Sequence, residues 1–201
     1  MTVDESDIRS WVFRLRSYTP IPFLLIMLWF ARPTVVSLVV GFTIVFVGEM
    51  IRFWGVSIVG AETRTTGAVG GTYLITTGPF SYVRNPLYLG NMMLYTGVGV
   101  MSVALFPWLQ IVALTWFYVQ YTLIVSREEE YLAKAFEGEY EDYRKNVRRF
   151  LPRLTPYRST HPPAKGMSTS EGIASERRTL QAIVLVTAII AAIYVIQVVY
   201  G

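Results

Sequence analysis

The chain has 201 residues, 53% of them hydrophobic and only 16% charged, with 18 Lys and Arg against 14 Asp and Glu. A mean hydropathy of +0.41, with a charged fraction well below the ~25% usual in soluble domains, sets it among membrane proteins. It has no cysteine and one histidine, His161, which excludes disulfides, thiolate chemistry, palmitoylation and a Cys- or His-built metal site.

Residues 1–17 carry Asp4, Glu5 and Asp7 instead of a basic n-region, so no cleavable signal peptide is expected. Within them, SDIRSWVFRLRS places Ile8, Trp11, Val12 and Leu15 on one helical face, the pattern of a short interfacial helix. Apolar blocks follow at 20–30, 35–47, 87–110, 111–125 and 180–199. Crossing ~30 Å of hydrocarbon takes roughly 20 helical residues. The first block therefore borrows Tyr18, Thr19 and Ala31, and the third is a helix from Pro86 to about Ala104, broken from the fourth near Phe106-Pro107. No stretch alternates with period two, which argues against a β-barrel. The expected fold is all-α and polytopic, with about five transmembrane helices and a cytoplasmic cofactor pocket.

The first two spans form a hairpin turning at Arg32-Pro33, and the second carries Glu49 and Arg52 at i,i+3, close enough to pair. The glycine-rich loop 60–85 (Gly60, Gly67, Gly70, Gly71, Gly78) lacks a GxGxxG between strand and helix, so no dinucleotide fingerprint is present. Residues 127–146 continue the fourth span as a polar helix. Residues 157–178, with THPPAKGMSTSEG and His161, are expected as a linker to a last span whose Ala188, Ala191 and Ala192 permit close packing. The expected divisions are thus an interfacial helix 1–17, a four-span core with its polar helix 18–156, a linker 157–178 and a final span 179–201.

With a cytoplasmic N-terminus, five spans leave Arg32 alone on the far side and every other Lys and Arg on the near side or its interface. The expected location is an inner or plasma membrane, with the N-terminus and polar loops cytoplasmic. Arg144, Lys145, Arg148, Arg149 and Arg153 would then face anionic membrane lipid. Lying beside membrane spans, they do not read as a nucleic-acid surface.

Polar residues inside membrane helices carry the most information. Tyr88, Asn91, Tyr95 and Gly99 form one stripe on the third span, and Tyr118, Tyr121, Val125 and Glu128 another on the fourth, leading onto Glu128-Glu129-Glu130. Facing each other, these stripes would line a pocket ringed by tyrosines and closed by carboxylates. An aromatic belt above a solvated acidic face would produce the same stripes.

The two motifs together are more specific. TTGPFSYVRNPLYLGN (76–91), followed after a hydrophobic hairpin by REEEYLAKAFEGEYEDYRKNVRRFLP (127–152), resembles the C-terminal signature of integral-membrane methyltransferases. These are the isoprenylcysteine carboxyl methyltransferase and phospholipid N-methyltransferase families. Their pattern runs TGPY-x-x-V-R-H-P-x-Y-x-G, then E-E-x-x-L-x-x-x-F-G-x-x-Y-x-x-Y and a hydrophobic-Pro. The likeness covers about 48–152, with Arg52, Trp54 and Gly60 on the second span. Arg84, Pro86, Tyr88 and Gly90 stand at R-x-P-x-Y-x-G, Glu128 and Glu129 at the paired glutamates, and Tyr140 and Tyr143 at the later tyrosines. Asn85 replaces the histidine, and the F-G step reads Phe136-Glu137-Gly138. Asparagine hydrogen-bonds but does not titrate, so position 85 cannot be a general base.

The resemblance implies an S-adenosylmethionine-dependent methyltransferase acting on a lipid-like or prenylated acceptor at the cytoplasmic face, surrounded by membrane lipid. It implies a cofactor set of Gly78, Pro79, Tyr82, Arg84, Asn85, Tyr88, Glu128 and Glu129, with Arg84, Tyr88 and Glu129 also catalytic, and no metal. The residue types suit that cofactor. Tyrosine faces attract a sulfonium cation, Arg84 suits a carboxylate, one glutamate suits an ammonium, and a second suits a ribose diol. One of the two glutamates is expected at the cofactor, the other holding a loop group such as Arg84, with Glu130 in solvent. An NADPH-dependent membrane sterol-type reductase shares a related architecture but tends to have paired aspartates and a tryptophan-containing stretch in the polar helix. A non-enzymatic membrane scaffold is the third reading.

Overall fold

The computed structural model describes residues 8–60, 74–159 and 166–200. Asp4, Glu5, Asp7, the glycines at 67, 70 and 71, and His161 lie outside these. As expected, the protein is all-helical: among the described residues there are seven α-helices and no strand. They are α1 (Ile8–Leu15), α2 (Pro20–Trp29), α3 (Val35–Val59), α4 (Pro86–Ser102), α5 (Trp108–Ala135), α6 (Glu137–Asn146) and α7 (Thr169–Tyr200), with a 3-10 turn at Gly78–Ser81 before α4.

Among the described residues, α3, α5 and α7, of 25, 28 and 32 residues, are long and apolar enough to cross a membrane. The other two expected spans are the shorter helices α2 and α4, of 10 and 17 residues. At 1.5 Å per residue these rise only ~15 and ~26 Å, less than the ~30 Å hydrocarbon core. At the other end, α7 begins at Thr169, inside the stretch expected as a linker. The residues TSEGIASERR contain no proline, and contacts of Ser168, Gly172 and Glu176 with α3 hold the helix through its polar turns.

Local chemistry explains the boundaries. Pro20 and Pro86 occupy first-turn positions, where a missing N–H has no intrahelical partner to lose. Thr34 and Ser37 cap α3 reciprocally, each backbone N–H donating to the other's hydroxyl at 2.8 and 3.1 Å. Between α5 and α6 the chain breaks after Phe136, where Glu137 adopts a positive φ of 24°.

The chain divides into two units: Met1–Glu49 with Asn91–Ile124 and Thr179–Gly201, and Met50–Gly90 with Val125–Arg178. In the first, Val45, Leu94, Met101, Val186 and Ile190 form a buried core. There Tyr95 stacks on Phe117 at 4.3 Å, and Phe117 in turn lies 6.2 Å from Tyr121. Tyr118, expected on the same stripe, is 55% exposed. In the second, Tyr140, Tyr143 and Val147 form the core, with Leu132 and Phe136 against it.

Candidate functional site

The residues singled out by the motifs all lie in the second unit. Pro86 opens α4 and so fixes the chain direction just beyond Arg84 and Asn85. Arg84 projects onto the end of α6: its Nη1 donates to the carbonyls of Arg144 and Val147 at 2.8 and 2.9 Å, and its backbone N–H to that of Arg148 at 2.9 Å. A guanidinium is well suited to this position, because the last carbonyls of a helix lack intrahelical donors and carry the negative end of its dipole. Asn85 adds a hydrogen bond from Nδ2 to the carbonyl of Arg149 at 3.2 Å.

The same guanidinium meets α5. Arg84 Nη2 donates to Glu129 Oε1 at 2.9 Å, and Arg149 reaches both oxygens of that carboxylate, Nε to Oε1 at 3.2 Å and Nη2 to Oε2 at 2.6 Å. Glu129 is therefore held between two arginines, the loop-holding partnership expected for one of the pair. Glu128, one residue earlier and about 100° around the helix, is half-buried and accepts a 2.8 Å hydrogen bond from the Tyr88 hydroxyl. Glu130 is exposed.

Gly78, Pro79 and Tyr82 stand in the turn before α4. Gly78 has φ 60°, a conformation that favours glycine, and a Cβ there would collide with Ile58. The Tyr82 ring lies 6.1 Å from that of Trp54. Main-chain oxygens of this turn receive the C-terminal segment: Arg153 N–H donates to Tyr82 and Tyr157 N–H to Ser81, both at 2.9 Å. The Tyr143 hydroxyl donates to the Phe80 carbonyl at 2.7 Å. Thus Arg84, Asn85 and Glu129 are joined through Arg149, Tyr88 and Glu128 form a hydrogen-bonded pair one position along α5, and Gly78, Pro79 and Tyr82 shape the turn before α4.

Beneath the group, burial pushes the Tyr140 hydroxyl up to about 12, with the Glu129 carboxylate adding to the rise and Arg84 opposing it. Burial likewise pushes Tyr143 well above the ordinary tyrosine range. Both remain neutral at physiological pH.

Two ion-pair partnerships are not evident from the sequence. Arg149 was expected to face lipid with its basic neighbours. Arg144, Lys145 and Arg148 are indeed exposed, but Arg149 turns inward, because Glu129 would otherwise be buried with a single partner. Nothing in the spacing of Arg149 from Glu129 announces this. Arg52, at i,i+3 from Glu49, donates from Nη2 to both oxygens of Glu176 of α7, each contact at 2.8 Å.

Residues 36–139, just over half of the chain, match the phospholipid methyltransferase family. Two curated relatives are similar over part of their length. The nickel-cobalt-cadmium resistance protein NccN of Alcaligenes xylosoxydans xylosoxydans is 36% identical over 88 residues, 44% of this chain and 40% of that protein. The cobalt-zinc-cadmium resistance protein CzcN of Cupriavidus metallidurans is 36% identical over 85 residues, 42% of this chain and 38% of that protein. The aligned part is thus about two-fifths of each. No solved structure matches. The matched segment contains every motif residue from Gly78 to Glu129, but neither Arg149 nor Glu176.

Proposed function

This chain belongs to the phospholipid methyltransferase family, and on that premise we propose that it is an integral-membrane, S-adenosylmethionine-dependent methyltransferase acting on a lipid-like or prenylated acceptor. The observation that carries the reading is that α5 presents, at consecutive positions, Glu129 held by Arg84 and Arg149 and the half-buried Glu128 held by the Tyr88 hydroxyl, so that cationic and anionic side chains stand at neighbouring positions. A zwitterionic amino-acid moiety needs that combination. Among the described residues, the buried Nε of Arg84 has no hydrogen-bond acceptor, and a carboxylate oxygen would satisfy it. Glu128 suits the ammonium, and the Tyr88 hydroxyl orients it. The donor set therefore fits the cofactor.

When bound, S-adenosylmethionine supplies an electrophilic methyl group on a sulfonium with an excellent leaving group. The protein's task is then mainly alignment and exclusion of water, which suits a site where Asn85 replaces a titratable histidine. Arg84 and Glu129 would act by positioning: Glu129 fixes the guanidinium and Arg84 holds the end of α6. The motif residues proposed for cofactor contact are Arg84, Asn85, Tyr88 and Glu128, in the setting made by Gly78, Pro79 and Tyr82. The relatives' names speak of resistance to metals. For this chain, with no cysteine and one histidine, we favour an acceptor drawn from the bilayer over a metal ligated by the protein.

The test is equilibrium binding to purified protein in detergent. S-adenosylmethionine should bind and NADPH should not. A hydrogen bond to a charged group contributes about 1.5–3 kcal/mol, so Glu128→Gln should weaken cofactor binding roughly ten- to more than a hundredfold. Binding of NADPH alone would replace this reading with that of a reductase, and binding of neither would leave a scaffold.

A further inference from the structure

The first turns of α7 lie outside the segment that matches the family, yet they hold the most buried carboxylate among the described residues. Glu176 is 1% exposed, and its two oxygens are both 2.8 Å from Arg52 Nη2. One turn earlier, Gly172 lies so close to α3 that a Cβ would collide with Ser57 Oγ and sit 3.2 Å from Phe53 Cε2. One turn earlier again, Ser168 N–H donates to the Ser57 carbonyl at 2.7 Å. Ser168, Gly172 and Glu176 are spaced i, i+4 and i+8, a single face of the helix.

The end of α3 has a second face. At ~100° per residue, Arg52, Phe53 and Ser57 point to one side, and Trp54, Gly55 and Ile58 to the opposite side. That opposite side carries the turn before α4. Trp54 meets Tyr82, Ile58 fills the space that a side chain on Gly78 would need, and a Cβ on Gly55 would lie 2.8 Å from Leu87 and 3.9 Å from Pro79. The last two turns of α3 are therefore sandwiched between α7 and the turn that delivers Arg84 and Asn85.

We propose that the start of α7 is a brace for that turn, and that Glu176, through Arg52, is a positioning residue for the cofactor site. A buried ion pair contributes little net stability, and losing one partner removes the contact that ties the two helices together at that point. Loss of the Glu176 charge would let the end of α3 shift toward solvent for Arg52, and Trp54 and Ile58 would move with it. The brace rests on the methyltransferase reading only for its cofactor arm, so the test has a ligand-free arm.

The experiment is hydrogen exchange on the full-length protein in detergent without ligand, followed by titration with S-adenosylmethionine. The reporters are the amides of Phe80, Tyr82 and Val83, which donate to carbonyls of Thr77 and Pro79. In Glu176→Gln their exchange should quicken about tenfold, while the amides of Tyr140 and Val147, bonded to Phe136 and Tyr143 carbonyls, keep wild-type rates. Cofactor affinity should fall about tenfold. Gly172→Ala, which separates the helices without touching a charge, should produce the same selective pattern. Unchanged exchange at 80–83 in folded variants would overturn the brace. So would uniform acceleration across the unit, or failure of both variants to fold. Selective acceleration in a protein whose wild type does not bind the cofactor would keep the brace and remove the methyltransferase reading.

Discussion

Arg84 and Glu129 form an ion pair at 2.9 Å whose side chains are 11% and 10% exposed, and this pair joins the start of α4 to the body of α5. Because Arg149 occupies the other carboxylate oxygen, Glu129 is a strut between two segments. Consecutive glutamates on a helix diverge by about 100°, and here Glu129 turns to the two arginines while Glu128 turns to Tyr88, which is the basis for proposing a holding role at 129 and a binding role at 128.

That separation is measurable. Glu129→Gln leaves two arginines facing a neutral amide, and removing one partner from a buried pair costs about 3–5 kcal/mol. With the Arg149 side chain 31% exposed, the lower end is expected. A loss of ~3 kcal/mol in a chain of this size lowers Tm by roughly 6–12 °C. Glu128→Gln should move Tm by only a few degrees while weakening cofactor binding. Equal Tm values for the two variants would contradict the division of roles.

Asn85 holds the carbonyl of Arg149, a bond that a histidine N–H can also make. Asn85→His should therefore keep cofactor affinity within about tenfold, or ~1.4 kcal/mol. Asn85→Leu removes that hydrogen bond and should weaken binding further. Titration of both variants with S-adenosylmethionine decides it, and undiminished binding in both would show the position to be idle.

A cytoplasmic N-terminus is proposed from the placement of Arg32 apart from the other basic residues. Ser170 is exposed near the start of α7, and Tyr200, 84% exposed, lies at its end. In intact cells, Ser170→Cys should resist an impermeant thiol reagent and Tyr200→Cys should react. The reverse labelling would put the proposed site on the side away from the cytoplasmic cofactor supply.

The buried tyrosines set an alkaline limit. Burial, aided by Glu129, raises Tyr140 from 10.0 to about 12 in the folded state, so the folded protein holds this proton more tightly than the unfolded chain. The resulting stability is fully present below pH 10 and is lost as pH rises through about 12. Tyr143 shifts in the same direction. Melting temperature against pH should fall less steeply between these values in Tyr140→Phe than in wild type. Parallel curves would show that Tyr140 does not contribute to the limit.

By itself the sequence determined the helical class, the apolar stretches, the proline start of α4 and the family, because each is written in local composition or in contiguous motifs. It also indicated that one glutamate of the pair would hold Arg84, since adjacent helical positions cannot serve one point. Tertiary structure decided which glutamate, and that Arg149 joins it, because a partner twenty residues away leaves no mark in spacing. It decided that α7 begins at Thr169 and carries Glu176 to Arg52, a pairing across more than a hundred residues that no periodicity encodes. It also placed a positive φ at Glu137, where the family motif has glycine. Local pattern specifies which faces are apolar, but the destination of a buried charge is set by whichever opposite charge the packed fold brings within reach, since an unpaired one is too costly to keep.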